Sequence, residues 1–188
     1  LSTKRRAAEL IKYASNAFLA TKITFINELA NLCEKTGINI EDISLGIGSD
    51  TRIGSRFLRV GPAYGGSCFP KDTKGLVSAA EKYKTNLSIV KSVINSNHKR
   101  VNLLTERVHN ILGKNLKNKK ISILGVTFKP NTDDMRDSTS LKMIPYYCKS
   151  GAKVSYYDPS GEKKEFKNIK NCTYKKNIKE NCIDADLI

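Results

Sequence analysis

Lys119-Lys120-Ile121-Ser122-Ile123-Leu124-Gly125-Val126 is a short apolar run set between a basic connector and a glycine, the pattern of a strand buried in a parallel sheet. A helical pattern follows from about Ser138 to Ser150, then Gly151 and a second strand-like run, Lys153-Val154-Ser155-Tyr156-Tyr157-Asp158-Pro159. Strand, crossover helix and strand make a β-α-β unit of the doubly wound kind, in which ligands sit at the carboxyl ends of the strands. Asp184-Ala185-Asp186-Leu187-Ile188 reads as the start of a further strand that simply stops, so the expectation is a fragment of a longer α/β domain. No Gly-x-Gly-x-x-Gly follows a strand, and Gly125 alone does not make a pyrophosphate turn, so the unit is Rossmann-like without the usual dinucleotide signature.

Upstream of this unit the pattern is helical. Over residues 4–36, Leu10, Ile11, Ala14, Ala17, Phe18, Thr21, Phe25, Leu29 and Leu32 recur at spacings of three and four, with no proline or glycine before Gly37. So long a stripe suits an interior or a dimer-forming helix. A short helix is expected after Asn39, opening near Glu41-Asp42 and ending around Gly46. Residues 46–71 are rich in glycine and proline, and a long irregular stretch inside a compact domain is usually functional. Helices are expected again from Asp72, as N-cap, to about Tyr83, and from about Leu87 to Leu112. The overall expectation is an α/β chain, with an all-α central dimerisation domain over residues 1–113 and a partial Rossmann-like α/β domain over residues 114–188.

The 188 residues carry a formal charge of +15, with 39% hydrophobic and 27% charged residues. The lysines are dispersed, thickest at 114–120 and 163–179, and alternate there with Asn and Glu as on solvated faces. No helix-turn-helix, zinc finger or RNP-like aromatic motif accompanies them, so nucleic acid is not expected as a partner, whereas anionic small ligands are. No stretch approaches the ~20 apolar residues of a membrane span. Five cysteines at irregular spacing, with no signal peptide, argue for reduced thiols and a cytoplasmic setting. Cys33 and Cys148 read as packing, and Cys172 and Cys182 are too far apart for a metal pair in a chain with two histidines, so no metal is expected.

The fifth cysteine lies in Gly65-Gly66-Ser67-Cys68-Phe69-Pro70-Lys71-Asp72. The glycines admit φ > 0 and a close backbone approach, and Pro70 stiffens the exit. Lys71 offers positive charge that favours a thiolate, and Asp72 offers a carboxylate that holds or activates water. Local chemistry alone leaves a packing role open beside a reactive one. Lys12 and Asn16 are an i, i+4 pair on one helix face, a cation and an amide that can converge on one point, although a solvated lysine is the simpler account of Lys12.

Together with Ala14 to Ala20, Arg52-Ile53-Gly54, Phe57-Leu58 and Phe128-Lys129-Pro130-Asn131-Thr132-Asp133-Asp134-Met135-Arg136-Asp137, that octet resembles the UDP-glucose 6-dehydrogenase family, within the UDP-glucose/GDP-mannose dehydrogenases, from about residue 7 to 188. The resemblance implies oxidation of UDP-glucose to UDP-glucuronate with two NAD⁺, Cys68 forming a thiohemiacetal and then a thioester. It implies Lys12 and Asn16 as oxyanion partners and Asp72 as the residue that positions water. Phe57, Leu58, Tyr64, Gly65, Gly66 and Lys129 would contact substrate, and Arg52 would reach the substrate of a neighbouring subunit in a homodimer built on the central helix. Lys71 and Arg136 would contact NAD. The complete NAD-binding domain of the family is missing, so the isolated chain is expected to be inactive. GDP-mannose and UDP-N-acetylhexosamine dehydrogenases share the scheme. Ser67 favours UDP-glucose over the N-acetyl substrates, whose enzymes tend to carry His there. A non-catalytic dimerisation module is the rival from another class.

Overall fold

The computed structural model describes residues 4–188. By contact the chain divides into two compact units, Leu1–Arg100 and Val101–Ile188, and each is described by itself.

The first unit is built on helix α1, Arg5–Thr36, which buries Ala17, Ala20, Thr24, Ile26, Asn27 and Cys33. It stops at Gly37, whose left-handed φ of 71° turns its N–H back onto the Cys33 carbonyl. A second apolar face stays exposed: Ile11, Phe18, Phe25 and Leu32, seven residues apart, are 48, 65, 51 and 58% accessible. That part of the expected stripe is therefore not interior in this chain.

Helix α2, Ile40–Gly48, is capped by the Asn39 side chain accepting from Glu41 N–H, and runs two residues past the expected stop at Gly46. Residues 49–68 contain no regular element. Helix α3, Phe69–Lys82, packs on α1, and helix α4, Ser88–Leu112, runs across the division between the units. Ala20 of α1, Val93 of α4 and Tyr64 of the loop make a small core, with Ile23 and Phe69 against it.

The expected N-cap of the third helix is corrected. Helix α3 opens at Cys68, not Asp72, with Pro70 in its first turn. Proline is suited to that turn because its φ is preset and its missing N–H is not needed there. Asp72 N–H instead donates to the Cys68 carbonyl at 2.8 Å, which puts the carboxylate inside the helix.

In the second unit, strands β1 (Lys120–Leu124), β2 (Lys153–Tyr157) and β3 (Cys172–Tyr174) form a parallel sheet in the order β1-β2-β3, with Ile121 opposite Val154 and Val154 opposite Cys172. Helix α5, Ser140–Lys149, supplies Ile144, Tyr147 and Cys148 to a core with Ile121, Val154 and Tyr156. Residues on the opposite side of the strands, Ser122 and Ser155, bond Asn181 of helix α6, Ile178–Cys182. Helices thus cover both faces, as in a doubly wound sheet. Leu187 forms an isolated parallel bridge to Ile121, consistent with the strand expected from Asp184 onward. Neither β3 nor α6 was legible in the sequence.

Candidate active site

Asp72 organises the site. It lies one turn into α3, its side chain inaccessible to solvent, and accepts a hydrogen bond from Asn16 Nδ2 at 2.6 Å. Lys12 Nζ stands 3.5 Å from the same oxygen, and Lys71 Nζ 3.3 Å from the other, Oδ1. Oδ1 has no well-aligned hydrogen bond. Lys12 and Asn16, one turn apart on α1, both meet the Asp72 carboxylate. Burial pushes the Asp72 carboxyl up, but the Asn16 hydrogen bond with the Lys71 and Lys12 charges outweighs it, and the group is held below its ordinary value.

Cys68 is exposed and unpaired, one turn before Asp72, with Ser67 Oγ 3.7 Å from its Sγ. As the residue that opens α3 it sits at the positive end of a helix, where negative charge is favoured. The arrangement provides an accessible thiol one helical turn before a buried carboxylate, with two ammonium groups and an amide donor around that carboxylate.

The loop before Cys68 distributes the remaining residues of the first unit. Tyr64 is buried, its ring edge-on to Phe69 at 6.2 Å, and Phe57 packs on the same ring at 6.1 Å from a left-handed φ of 66°. Gly66 is buried with φ of 78°, a conformation that L side chains rarely take, and Gly65 is half-buried. Leu58 is buried, so its side chain serves packing, and its carbonyl accepts from Ser44 Oγ. Arg52 is exposed and bidentate to Asp50, on a turn whose Ile53 and Gly54 carbonyls both accept from Lys22 Nζ.

Sequence reasoning missed the groups that hold this loop. Asn27 Oδ1 accepts from Gly61 N–H at 2.9 Å, and Arg100 donates to the Gly61 carbonyl at 2.9 Å and the Asn27 carbonyl at 3.0 Å. The Asn97 amide pairs with both the N–H and the C=O of Tyr64. A signal was present: Asn97 and Arg100 interrupt the buried face of α4 between Val93 and Val101 at spacings of four and three.

Lys129 and Arg136 lie in the second unit, in the segment leaving β1. Lys129 Nζ stands 5.4 Å from the centre of the Phe128 ring. Arg136 forks onto Asp134, and that hydrogen bonding, first from the guanidinium and then from the Arg136 N–H, holds the Asp134 carboxyl down at about 2. The segment is fixed at its base: Asp158 Oδ2 accepts from Val126 N–H, and the Val126 carbonyl accepts from the hydroxyls of Ser138 and Ser140.

Comparison with known proteins follows the same division. Residues 6–99 match the central domain of the UDP-glucose/GDP-mannose dehydrogenase family, and residues 122–188 match that family's UDP binding domain. The chain is 47% identical over 186 residues to a UDP-glucose 6-dehydrogenase of Rhizobium meliloti (strain 1021), covering 99% of this chain and 43% of the relative. It is 50% identical over 157 residues to UDP-glucose 6-dehydrogenase YwqF of Bacillus subtilis (strain 168), covering 84% of this chain and 36% of that protein. A solved UDP-glucose dehydrogenase from Pyrobaculum islandicum superposes with a TM-score of 0.87 at 35% identity, over 94% of this chain and 41% of that one. The chain thus spans less than half the length of these relatives. With the helical unit, the parallel sheet and both domain matches in agreement, the chain belongs to the UDP-glucose/GDP-mannose dehydrogenase family.

Proposed function

We propose that this chain is the central region, residues 1–113, and part of the UDP-binding region, residues 114–188, of an enzyme that oxidises UDP-glucose to UDP-glucuronate. The observation that carries the reading is the convergence of Lys12, Asn16 and Lys71 on the buried Asp72, one turn from the exposed Cys68 thiol. Cys68 Sγ adds to the C6 aldehyde of the half-oxidised sugar, giving a thiohemiacetal. Lys12 and Asn16 supply a cation and an N–H donor to the oxygen that gains charge, a type of contact worth about 3 kcal/mol in the transition state when one donor is removed. Asp72 Oδ1 has no well-aligned hydrogen bond and is closed to solvent in the free chain. Once the bound sugar admits water, Oδ1 would take a proton from the water that attacks the later thioester, and the thiol is released with the carboxylate product. Held below its ordinary value, the Asp72 carboxyl is ionised at neutral pH.

NAD⁺ is the proposed acceptor and, when bound, would supply the hydride-accepting group for the two oxidations. Lys71 and Arg136 are solvent-facing cations, 66 and 67% exposed at the side chain, and each fits the anionic groups of a dinucleotide. Phe57, Tyr64, Gly65 and Gly66 line the loop offered to the sugar nucleotide, and Leu58 supports it from the interior; within the second unit, Lys129 is the candidate substrate-binding cation. The exposed stripe Ile11, Phe18, Phe25 and Leu32 supports a homodimer through α1, with Arg52 reaching the partner's substrate. Five unpaired cysteines fit a reducing, cytoplasmic setting, and no helix among the described residues is long and apolar enough to cross a membrane.

The test is a count of NADH formed per sugar by the full-length enzyme given NAD⁺ with UDP-glucose, GDP-mannose or a UDP-N-acetylhexosamine. Two per UDP-glucose, and little with the others, is expected. One per UDP-glucose would remove Cys68 from the second oxidation, and preference for another sugar nucleotide would move the substrate assignment.

A further inference from the structure

We infer that Asn97 is a positioning residue for Cys68, acting as a substitute strand that fixes the loop leading to the thiol. This rests on the proposal that Cys68 is the nucleophile.

A loop that carries a nucleophile must present it in one place, yet residues 49–68 have no helix or ladder to hold them. Between Gly61 and Cys68, the described hydrogen bonds from side chains elsewhere in the chain to the loop backbone fall at two peptides. Gly61 is held on both sides, its N–H by Asn27 and its carbonyl by Arg100. Tyr64 is held on both sides by Asn97 alone, N–H to Oδ1 at 2.9 Å and carbonyl to Nδ2 at 3.0 Å. A primary amide is the side chain that can do this, since it carries donor and acceptor in one plane, as a neighbouring peptide would. Asn97 is 8% exposed and Tyr64 6%, so neither bond is readily replaced by water.

The clamp is four residues before Cys68, and the intervening Gly66 has a φ of 78°, a freedom of glycine that leaves the backbone between clamp and thiol dependent on such anchors. The same Tyr64 side chain packs against Phe69, the first residue of α3, together with Val93 and Ala20. Tyr64 is therefore pinned by its backbone through Asn97 and by its ring through the start of the helix that holds Asp72. Shifting it moves the thiol relative to the carboxylate, without touching either.

The experiment uses the full-length enzyme with Asn97→Ala, Asn97→Asp and, as control, Asn95→Ala on the exposed side of α4. Asn97→Asp keeps an acceptor for Tyr64 N–H and sets a carboxylate oxygen against the Tyr64 carbonyl, so it tests the donor half with little change of shape. Two readouts are taken on folded, thiol-titrated protein: kcat and KM for UDP-glucose, and the rate of Cys68 alkylation by iodoacetamide. Both Asn97 variants should lower kcat at least tenfold, with KM changed less, and should change the alkylation rate at least threefold, while Asn95→Ala leaves both as in the parent. A purely structural role predicts a lower melting temperature with kcat per folded thiol and alkylation unchanged, and that result overturns the inference. If Asn97→Ala does not fold, Asn97→Asp alone decides on the same criteria. Absence of UDP-glucose turnover in the parent would refute the proposed function, and the alkylation rates would still decide the clamp.

Discussion

Replacing Asn16 by alanine should cost the folded protein about 2 kcal/mol at neutral pH, more than replacing Lys12, although Lys12 carries the charge. The Asn16 amide donates at 2.6 Å to a carboxylate that solvent does not reach, and hydrogen bonds to charged groups are worth about 1.5–3 kcal/mol. Lys12 stands 3.5 Å away with 60% of its side chain exposed. At that separation Coulomb attraction is only about 1 kcal/mol in a water-like dielectric, and exposed pairs often net less. The difference should depend on pH. Asp72 is held below its ordinary value of 3.8, so its ionised form adds stability that is fully present above that value and is lost as the pH falls through the lower, folded one. Without Asn16, burial acts against a weaker opposition and the carboxyl rises, so the gap between parent and variant is widest near pH 7 and narrows below about pH 4. Urea denaturation of the full-length enzyme and its Asn16→Ala and Lys12→Ala variants, followed by far-ultraviolet circular dichroism at pH 7 and pH 3, measures this. Equal costs for the two variants, or a cost for Asn16→Ala that is the same at both pH values, would refute the reasoning.

Cys68→Ala in the full-length enzyme should abolish UDP-glucuronate formation, and Cys68→Ser should stall after the first oxidation, both read from product and NADH counts; near-parental turnover by Cys68→Ala would end the covalent assignment. Phe18→Asp with Phe25→Asp should convert a dimer to monomer in analytical ultracentrifugation, because both side chains are more than half exposed on the α1 stripe; an unchanged sedimentation coefficient would move the interface elsewhere. Asp158→Ala should destabilise by about 3–5 kcal/mol, because it leaves the buried Lys163 ammonium, now 3.7 Å from Asp158, without its counter-charge. A thermal melt within a degree of the parent would show that Ser160, which also accepts from Lys163, is sufficient.

Much of the fold could be read along the chain because the signals are local. The three- and four-residue spacing up to Gly37 gives α1, and the apolar runs ending in Gly125 and Asp158 give β1 and β2. Strand β3 could not be read, since Cys172–Tyr174 is three residues in a lysine- and asparagine-rich stretch and exists as a strand only because β2 offers an open edge. The start of α3 departs from its expectation for a related reason: Asp72 has the side chain of an N-cap, and only the structure shows that carboxylate already engaged by Asn16 and the lysines.

By itself the sequence determined which residues are chemically equipped: a thiol among glycines, a cation and an amide one helical turn apart, and a carboxylate four residues after the thiol. Those are statements about neighbours in the chain, where helical periodicity is enough to bring side chains onto one face. Only the tertiary structure decided that Asn16 reaches Asp72 across 56 residues and that Asn97 holds Tyr64 across 33. Contacts between distant segments follow from how α1, α3 and α4 pack, and a single buried polar residue on an apolar face shows that a partner must exist without showing which one.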